Sequence, residues 1–210
     1  VSSGEIEGSV DARAPFGSQR LSVVDSFGVW LSQRAIRKHL PNRTDLDVLE
    51  LGCGLHAKNL VALGPILRRG VGVDFKISDE AKRAPKLAFH EGAVDVATAS
   101  LQPASFDAIL FISVLEHLWD PLPALQDCRR WLRDDGVLLV NVPTWRGKRA
   151  LEFSAFRLGL SPKCEMDDHK MYYDERDLWP LLVRAGFAPS RIHMNYHKFG
   201  LNLFAAMYKS

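Results

Sequence analysis

Glu50, Gly52, Gly54 and Asp74 make the pattern with the clearest chemical content in this chain. Val48-Leu49-Glu50-Leu51-Gly52-Cys53-Gly54 is an apolar run that ends in an acid and two glycines spaced by one residue. Glycines at a strand end permit a tight turn with positive φ and let a ligand approach the backbone. A second apolar run, Val71-Gly72-Val73, ends in Asp74. An acid at the tip of a neighbouring strand is placed to accept hydrogen bonds from a ribose diol. The two features together point to a nucleoside-containing ligand lying across two strand ends. Gly52-x-Gly54-x-x-Ala57 also satisfies the loose dinucleotide fingerprint. Glu50 argues against a nicotinamide dinucleotide, because it sets a negative charge where a pyrophosphate would sit. The same carboxylate suits a cationic ligand such as the amino group of a methionine moiety. Gly64-Pro65 compromises the following helix, whose N-terminus would otherwise hold phosphate.

Two further groups of residues carry chemistry. Ser113, Glu116 and His117 follow an apolar run, and the His117 imidazole belongs to the one side-chain type that titrates near neutrality. Asp167-Asp168-His169-Lys170-Met171-Tyr172-Tyr173 concentrates charged and aromatic side chains. Such a set suits a polar acceptor with a ring or sugar-like body; its plainer reading is a salt-bridged surface loop capping the next helix. Cys53 reads as a small filler in the glycine loop rather than a nucleophile.

Four ordered stretches carry a family resemblance. Val48-Leu-Glu-Leu-Gly-Cys-Gly54 resembles the first motif of the class I S-adenosylmethionine-dependent methyltransferases, and Gly72-Val-Asp74 resembles their ribose-binding acid. Phe106-Asp-Ala-Ile-Leu-Phe-Ile-Ser-Val-Leu-Glu-His-Leu-Trp-Asp-Pro121 is similar to their fourth-strand motif. Leu132-Arg-Asp-Asp-Gly-Val-Leu-Leu-Val-Asn-Val-Pro143 is similar to their fifth strand with its preceding turn. The resemblance spans roughly Asp45 to Pro143. It departs from the family where His56 replaces a third glycine and where Ala93, after Gly92, replaces an acid. It implies S-adenosylmethionine as cofactor, held by Glu50, Gly52, Cys53, Gly54, Asp74, Phe75, Val94, Asp95, Ile112 and Ser113. Asp95 either accepts a hydrogen bond from the adenine amino group or is a surface carboxylate.

Methyl transfer from a sulfonium is an in-line displacement whose leaving group departs neutral, so the cofactor supplies much of the driving force. The protein must position the acceptor. A hydroxyl acceptor also needs a base or a metal, whereas a neutral amine does not. His117 and His169 are the candidate bases; the alternative for His117 is a structural role at a helix start. Some relatives hold a divalent metal with a Glu-x-x-Glu-His cluster. Ser113 stands at the first acid here, so no metal centre is expected. Trp145, Tyr172 and Tyr173 are the candidate substrate contacts. The expected reaction is methylation of a hydroxyl, or an amine, of a small molecule such as a sugar, a lipid-linked precursor or a natural product. The rival readings are an RNA or protein methyltransferase and a catalytically silent cofactor-binding module.

The elements that must position these groups follow from the hydrophobic pattern. The expectation is an α/β fold: a doubly wound, mostly parallel seven-stranded Rossmann-like sheet with an antiparallel edge strand and a small helical cap. Residues 1–19 read as a flexible segment and 20–210 as a single domain, with 144–174 as the cap. Leu21, Val24, Phe27, Trp30 and Leu31 recur at helical spacing over Leu21–Leu40. Strands are expected at Asp47–Leu51, Gly70–Asp74, Lys86–Glu91, Phe106–Ser113, Val137–Val142, Arg191–Tyr196 and Leu201–Tyr208. Asp134-Asp135-Gly136 reads as a turn. Pro121–Arg133 reads as an amphipathic helix. Asp174–Gly186 reads as the last helix, with Leu178, Leu181, Leu182 and Val183 inward and Gly186 at its C-terminus. From Arg129 to Lys163, eight Lys and Arg face three acids. That excess fits either a solvated face or a cap favouring an anionic acceptor or a lipid head group.

At 210 residues and 47% hydrophobic, the chain can bury a sizeable core. A formal charge of +2 implies no nucleic-acid partner by itself. No apolar run is long enough to span a bilayer, and no secretory leader is apparent. Cys53, Cys128 and Cys164 have neither disulfide nor zinc spacing, which favours a reducing, cytoplasmic setting. Self-association is left open.

Overall fold

Alternation along the apolar runs decides which side chains meet which layer. A computed structural model describes residues 23–94, 98, 100–153 and 169–210, with 23–26 and 151–153 described by backbone alone. Helix α1 is Val23–His39 and strand β1 Leu46–Leu51; the six-residue α2, Lys58–Leu63, leads to β2, Leu67–Asp74. The short α3, Asp79–Lys82, precedes β3, Leu87–Glu91. Strand β4, Phe106–Ile112, is followed by α4, Leu122–Trp131, and β5, Leu132–Pro143. Then come α5, Trp145–Phe153, α6, Glu175–Arg184, β6, Ile192–His197, and β7, Asn202–Tyr208.

The seven strands form one sheet in the order β3-β2-β1-β4-β5-β7-β6. The first five are parallel to their neighbours, and β7 is inserted antiparallel between β5 and β6. Alternate residues of each central strand enter opposite layers. Leu49, Leu51, Ile109, Phe111, Leu138 and Val140 pack against Leu125, Cys128 and Trp131 of α4 and Leu178 and Leu182 of α6. Val48, Ala108, Leu110, Val137 and Leu139 pack against Ile36 of α1 and Leu60 and Leu63 of α2. Burial on both faces explains the dense apolar content of β1 and β4, which only the buried acids Asp47, Glu50 and Asp107 interrupt.

Three expectations change. Among the described side chains of α1 the buried ones are Ser32 and Ile36, with Leu40 just beyond its end, while Phe27 and Trp30 are exposed and stack on one another. A stripe with four-residue spacing, not the bulkiest side chains, meets the sheet. Asp134-Asp135-Gly136 is a bulge inside β5: Phe106 pairs with Leu132 and Ala108 with Val137, so the intervening residues loop out at Asp135, where φ is 62°. Val183 of α6 is exposed because the inward face there is Leu178 and Leu182. The segment 1–19 and most of the second half of the cap lie outside the described residues, as does Cys164. Among the described residues, no helix is long and apolar enough to cross a membrane.

Candidate active site

Strand order reverses between β1 and β4, and a crevice at the carboxyl ends of strands at such a point is where open α/β sheets bind ligands. The loop leaving β1 is folded over the tip of β2. The Gly52 and Cys53 N–H groups both donate to the Val73 carbonyl, at 2.8 and 3.1 Å. Gly52 has φ of 69°, and a Cβ there would lie 2.2 Å from Val114 Cγ2. Gly54 has φ of 71° and only open space where a Cβ would stand. The first glycine thus closes the loop against the segment after β4; the second leaves bare backbone beside a gap.

Asp74 fastens that loop. Its Oδ2 accepts from the Gly54 N–H at 2.7 Å and its Oδ1 from the Phe75 N–H at 2.8 Å. Each carboxylate oxygen keeps acceptor capacity after one such bond, so the group is oriented and still able to receive a diol. Phe75, next to it, is 79% exposed.

Glu50 occupies the layer beneath the loop. It is buried, its Oε1 accepts from Asn59 Nδ2 at 2.6 Å, and its Oε2 has no hydrogen-bond partner among the described residues. Burial pushes its carboxyl up to about 8, against the pull of Asn59 and the Leu60 N–H and with the help of the nearby Asp74 charge. Cys53 is buried beside it, and burial pushes its thiol up strongly, which suits a filler and not a nucleophile.

The end of β4 supplies the other wall. Ile112 is half-buried and Ser113 is exposed with φ of 56°, its N–H donating to the Asn141 carbonyl at 2.9 Å. A 3₁₀ turn, Leu115–His117, follows. Its Glu116 side chain is 2% exposed, and burial pushes the carboxyl up to about 8. The Glu116 carbonyl accepts from the Lys170 and Met171 N–H groups at 2.7 and 3.2 Å. Those bonds strap the segment before α6 onto the turn and bring His169 to His117, with ring centroids 5.0 Å apart. Tyr172 Oη lies 3.2 Å from His169 Nδ1, and its ring lies 5.7 Å from Trp145. Trp145 Nε1 donates to Asp177 Oδ2 at 3.1 Å. One carboxylate oxygen of Glu116 and one nitrogen from each of His117 and His169 lie within 4.8 Å of one another.

The two candidate bases, far apart in sequence, are therefore neighbours, and Tyr172 and Trp145 adjoin them. Tyr173 is different: it is 2% exposed and packs in the core below the strap. Val94 is half-buried and packs against the same core; Asp95 lies outside the described residues. Asn59, Asn141 and Trp119 escaped the sequence argument. Asn141, with both side-chain polar atoms buried and no hydrogen-bond partner among the described residues, did leave a signal, an amide interrupting the apolar run of β5. Trp119, 84% exposed under the Lys170 ammonium, left none.

The residues present fit S-adenosylmethionine. The open side of Gly54 accommodates a nucleoside against the backbone, the oriented Asp74 matches a ribose, and the buried, unpartnered Glu50 Oε2 lies where an ammonium nearby would satisfy it.

A family model described as a methyltransferase domain matches residues 30–190. A Mycolicibacterium smegmatis protein named "Probable S-adenosylmethionine-dependent methyltransferase" is 32% identical over 160 residues, covering 74% of this chain and 57% of that protein. A Mycobacterium tuberculosis protein bearing the same description is 29% identical over 177 residues, 81% of this chain and 60% of its own length. The chain thus spans about 57–60% of the length of these two relatives. In fold it is similar to a Mesorhizobium loti S-adenosylmethionine-dependent methyltransferase, with a TM-score of 0.61 at 16% identity over 83% of this chain and 96% of that one.

Proposed function

This chain belongs to the class I S-adenosylmethionine-dependent methyltransferases, and from that premise we propose that it transfers the methyl group to a hydroxyl of a small, polar, ring-bearing acceptor. The observation that carries the reading is the His117–His169 pair, 5.0 Å apart at the end of β4. When bound, the cofactor supplies a methyl group activated by its sulfonium. A hydroxyl must shed its proton as it attacks, and an imidazole is suited to take it; a neutral amine would need no such pair. Gly52, Gly54 and Asp74 hold the nucleoside end. Trp145 and Tyr172 offer aromatic faces on which a sugar or similar ring can rest. Positioning of the acceptor oxygen is the larger contribution: ideal proximity is worth up to about 7–11 kcal/mol.

The test is labelled-methyl transfer from S-adenosylmethionine to matched panels of sugars, lipid-linked precursors and their amino analogues. Turnover confined to hydroxyl acceptors, lost more than tenfold in His117→Ala or His169→Ala with a shifted pH profile, supports the reading. Turnover on amines alone, or on RNA or protein alone, refutes it.

A further inference from the structure

We propose that the first turns of α1 and the hairpin tip between β6 and β7 form a basic, aromatic face that rests on the surface of an anionic lipid bilayer. The statement stands apart from the acceptor reading above, since it uses neither the candidate bases nor the cofactor site.

The argument begins at the hairpin tip. Lys198, Phe199 and Gly200 form a 3₁₀ turn whose φ angles are 49°, 59° and 82°. A bulky side chain in the left-handed region is an outlier, and it persists only where the surrounding structure imposes it. Here Thr144 Oγ1 donates to the Gly200 carbonyl at 2.8 Å, and the Thr144 N–H donates to the Leu201 carbonyl at 3.0 Å. The turn so held leaves Phe199 84% exposed. Strand β7 is antiparallel to β5, and β6 to β7, so this tip lies at the carboxyl end of the parallel strands. Helix α1 reaches the same end. Its His39 Nδ1 lies 3.3 Å from Tyr208 Oη at the far end of β7, while a Cβ at Gly28 would stand 3.8 Å from Lys198 Nζ. Phe27 and Trp30, on either side of Gly28, are exposed, and their rings stack 5.7 Å apart. Three exposed aromatics thus gather at one corner of the molecule, and such a gathering marks an interaction surface.

Charge says what covers it. Residues 27–39, 144–151 and 196–201 contain seven Lys and Arg and no Asp or Glu, in a chain whose 27 Lys and Arg are nearly balanced by 25 acids. Arg34 Cζ lies 5.9 Å from the Trp30 ring centroid, and a Cβ at Gly200 would stand 3.4 Å from Arg146 Nη1. Rings interleaved with cations are the composition of a surface that lies on lipid: the rings enter the headgroup layer and the cations meet anionic heads. Single-stranded RNA also takes basic, aromatic surfaces, but by stacking bases on open ring faces along a groove. Trp30 shares its ring with Phe27 and the Arg34 guanidinium, and Phe199 stands on a projecting turn. A second copy fits poorly, because an isologous contact would set these cations against themselves. Among the described residues no helix is long and apolar enough to cross a membrane, so the contact is with the surface. Thr144 ties the tip to the residue before Trp145, so docking would bring the acceptor wall close to the bilayer.

The test mixes the full chain with vesicles of phosphatidylcholine alone, or of phosphatidylcholine with phosphatidylglycerol, and reads bound protein by co-sedimentation. One double variant, Trp30→Gln with Phe199→Asn, removes two rings, and asparagine is at ease in the left-handed region. Another, Arg34→Gln with Arg146→Gln, removes two cations. S-adenosylmethionine binding by calorimetry confirms that each variant folds. Binding to the anionic vesicles alone, weakened by salt and at least about tenfold in each double variant, supports the surface. No binding to anionic vesicles, or binding that both double variants retain, overturns it. Preference for single-stranded RNA over the vesicles, or a lipid-free dimer that the same variants dissolve, also overturns it by giving the face another occupant. Vesicle binding is scored without any acceptor, so failure of docking and failure of hydroxyl methylation are read separately.

Discussion

Asp74 carries two backbone hydrogen bonds before any ligand arrives, and it holds the Gly54 N–H that shapes the glycine loop. Removing the carboxylate therefore loosens the loop and, on the proposed reading, loses the ribose acceptor as well. Asp74→Ala is expected to weaken S-adenosylmethionine by about 1.5–3 kcal/mol, the range for hydrogen bonds to a charged group, in a calorimetric titration. Unchanged affinity would show that the nucleoside lies elsewhere. Asp74 and the two glycines were legible in the sequence because their demands are local: a turn, a positive φ and a strand tip. The pairing of His117 with His169 was not legible. It depends on backbone bonds from Lys170 and Met171 to the Glu116 carbonyl, which have no sequence signature.

Helix α5 and the strap meet the acceptor side through a few close contacts. Gly147 packs so tightly against the turn before β7 that a Cβ would stand 2.2 Å from the Leu201 carbonyl oxygen. Gly147→Ala must push α5 outward, and with it Trp145, which touches Tyr172. The expected result is a several-fold rise in KM for the acceptor with cofactor affinity unchanged; an unchanged KM would show that Trp145 does not line the acceptor site. At the start of α6, Asp174 and Asp177 form a capping box, and Asp177 Oδ2 also receives Trp145 Nε1. Asp174→Ala is expected to cost about 1 kcal/mol in urea denaturation, as for other N-caps. The central strand β4 was legible to within a residue because it is almost wholly apolar, whereas β5 begins at Leu132, five residues before the expected start, because its first turn-like residues are polar. Phe27 and Trp30 mark α1 in the sequence by their spacing, yet both are exposed while Ile36 packs in the core. The bulge in β5 was read as a turn because Asp-Asp-Gly satisfies both, and only pairing with β4 separates them.

Two buried carboxyls at opposite ends of β1 give the fold opposite responses to pH. Asp47, near the start of β1, accepts from Arg68 and Arg133, and Asp107 beside it accepts from Arg43 and Arg133. Burial alone would raise Asp47, but the arginine hydrogen bonds and charges outweigh it and hold the carboxyl below its usual range. A depressed folded-state pKa contributes stability that is present above the unfolded value, near 4, and is lost as pH falls through the folded value. Glu50, at the other end of the strand, is raised from 4.5 to about 8. The folded chain keeps a proton there that the unfolded chain releases, so stability declines as pH rises from about 4.5 to about 8. The decline from Glu50 is at most about 5 kcal/mol at 1.36 kcal/mol per unit, and Glu116 adds a decline of the same sign. Without cofactor, the unfolding free energy should peak in mild acid. Asp47→Asn should lower that peak by about 1.5–3 kcal/mol, since it removes a buried carboxylate's hydrogen bonds to charged groups, and should flatten the acid limb. Glu50→Gln should flatten part of the alkaline limb. Bound S-adenosylmethionine, by setting a cation near Glu50, should do the same in the unaltered chain. Urea denaturation from pH 4 to pH 9, with and without cofactor, checks all three, and an alkaline limb unmoved by either Glu50→Gln or cofactor would remove Glu50 from the binding site.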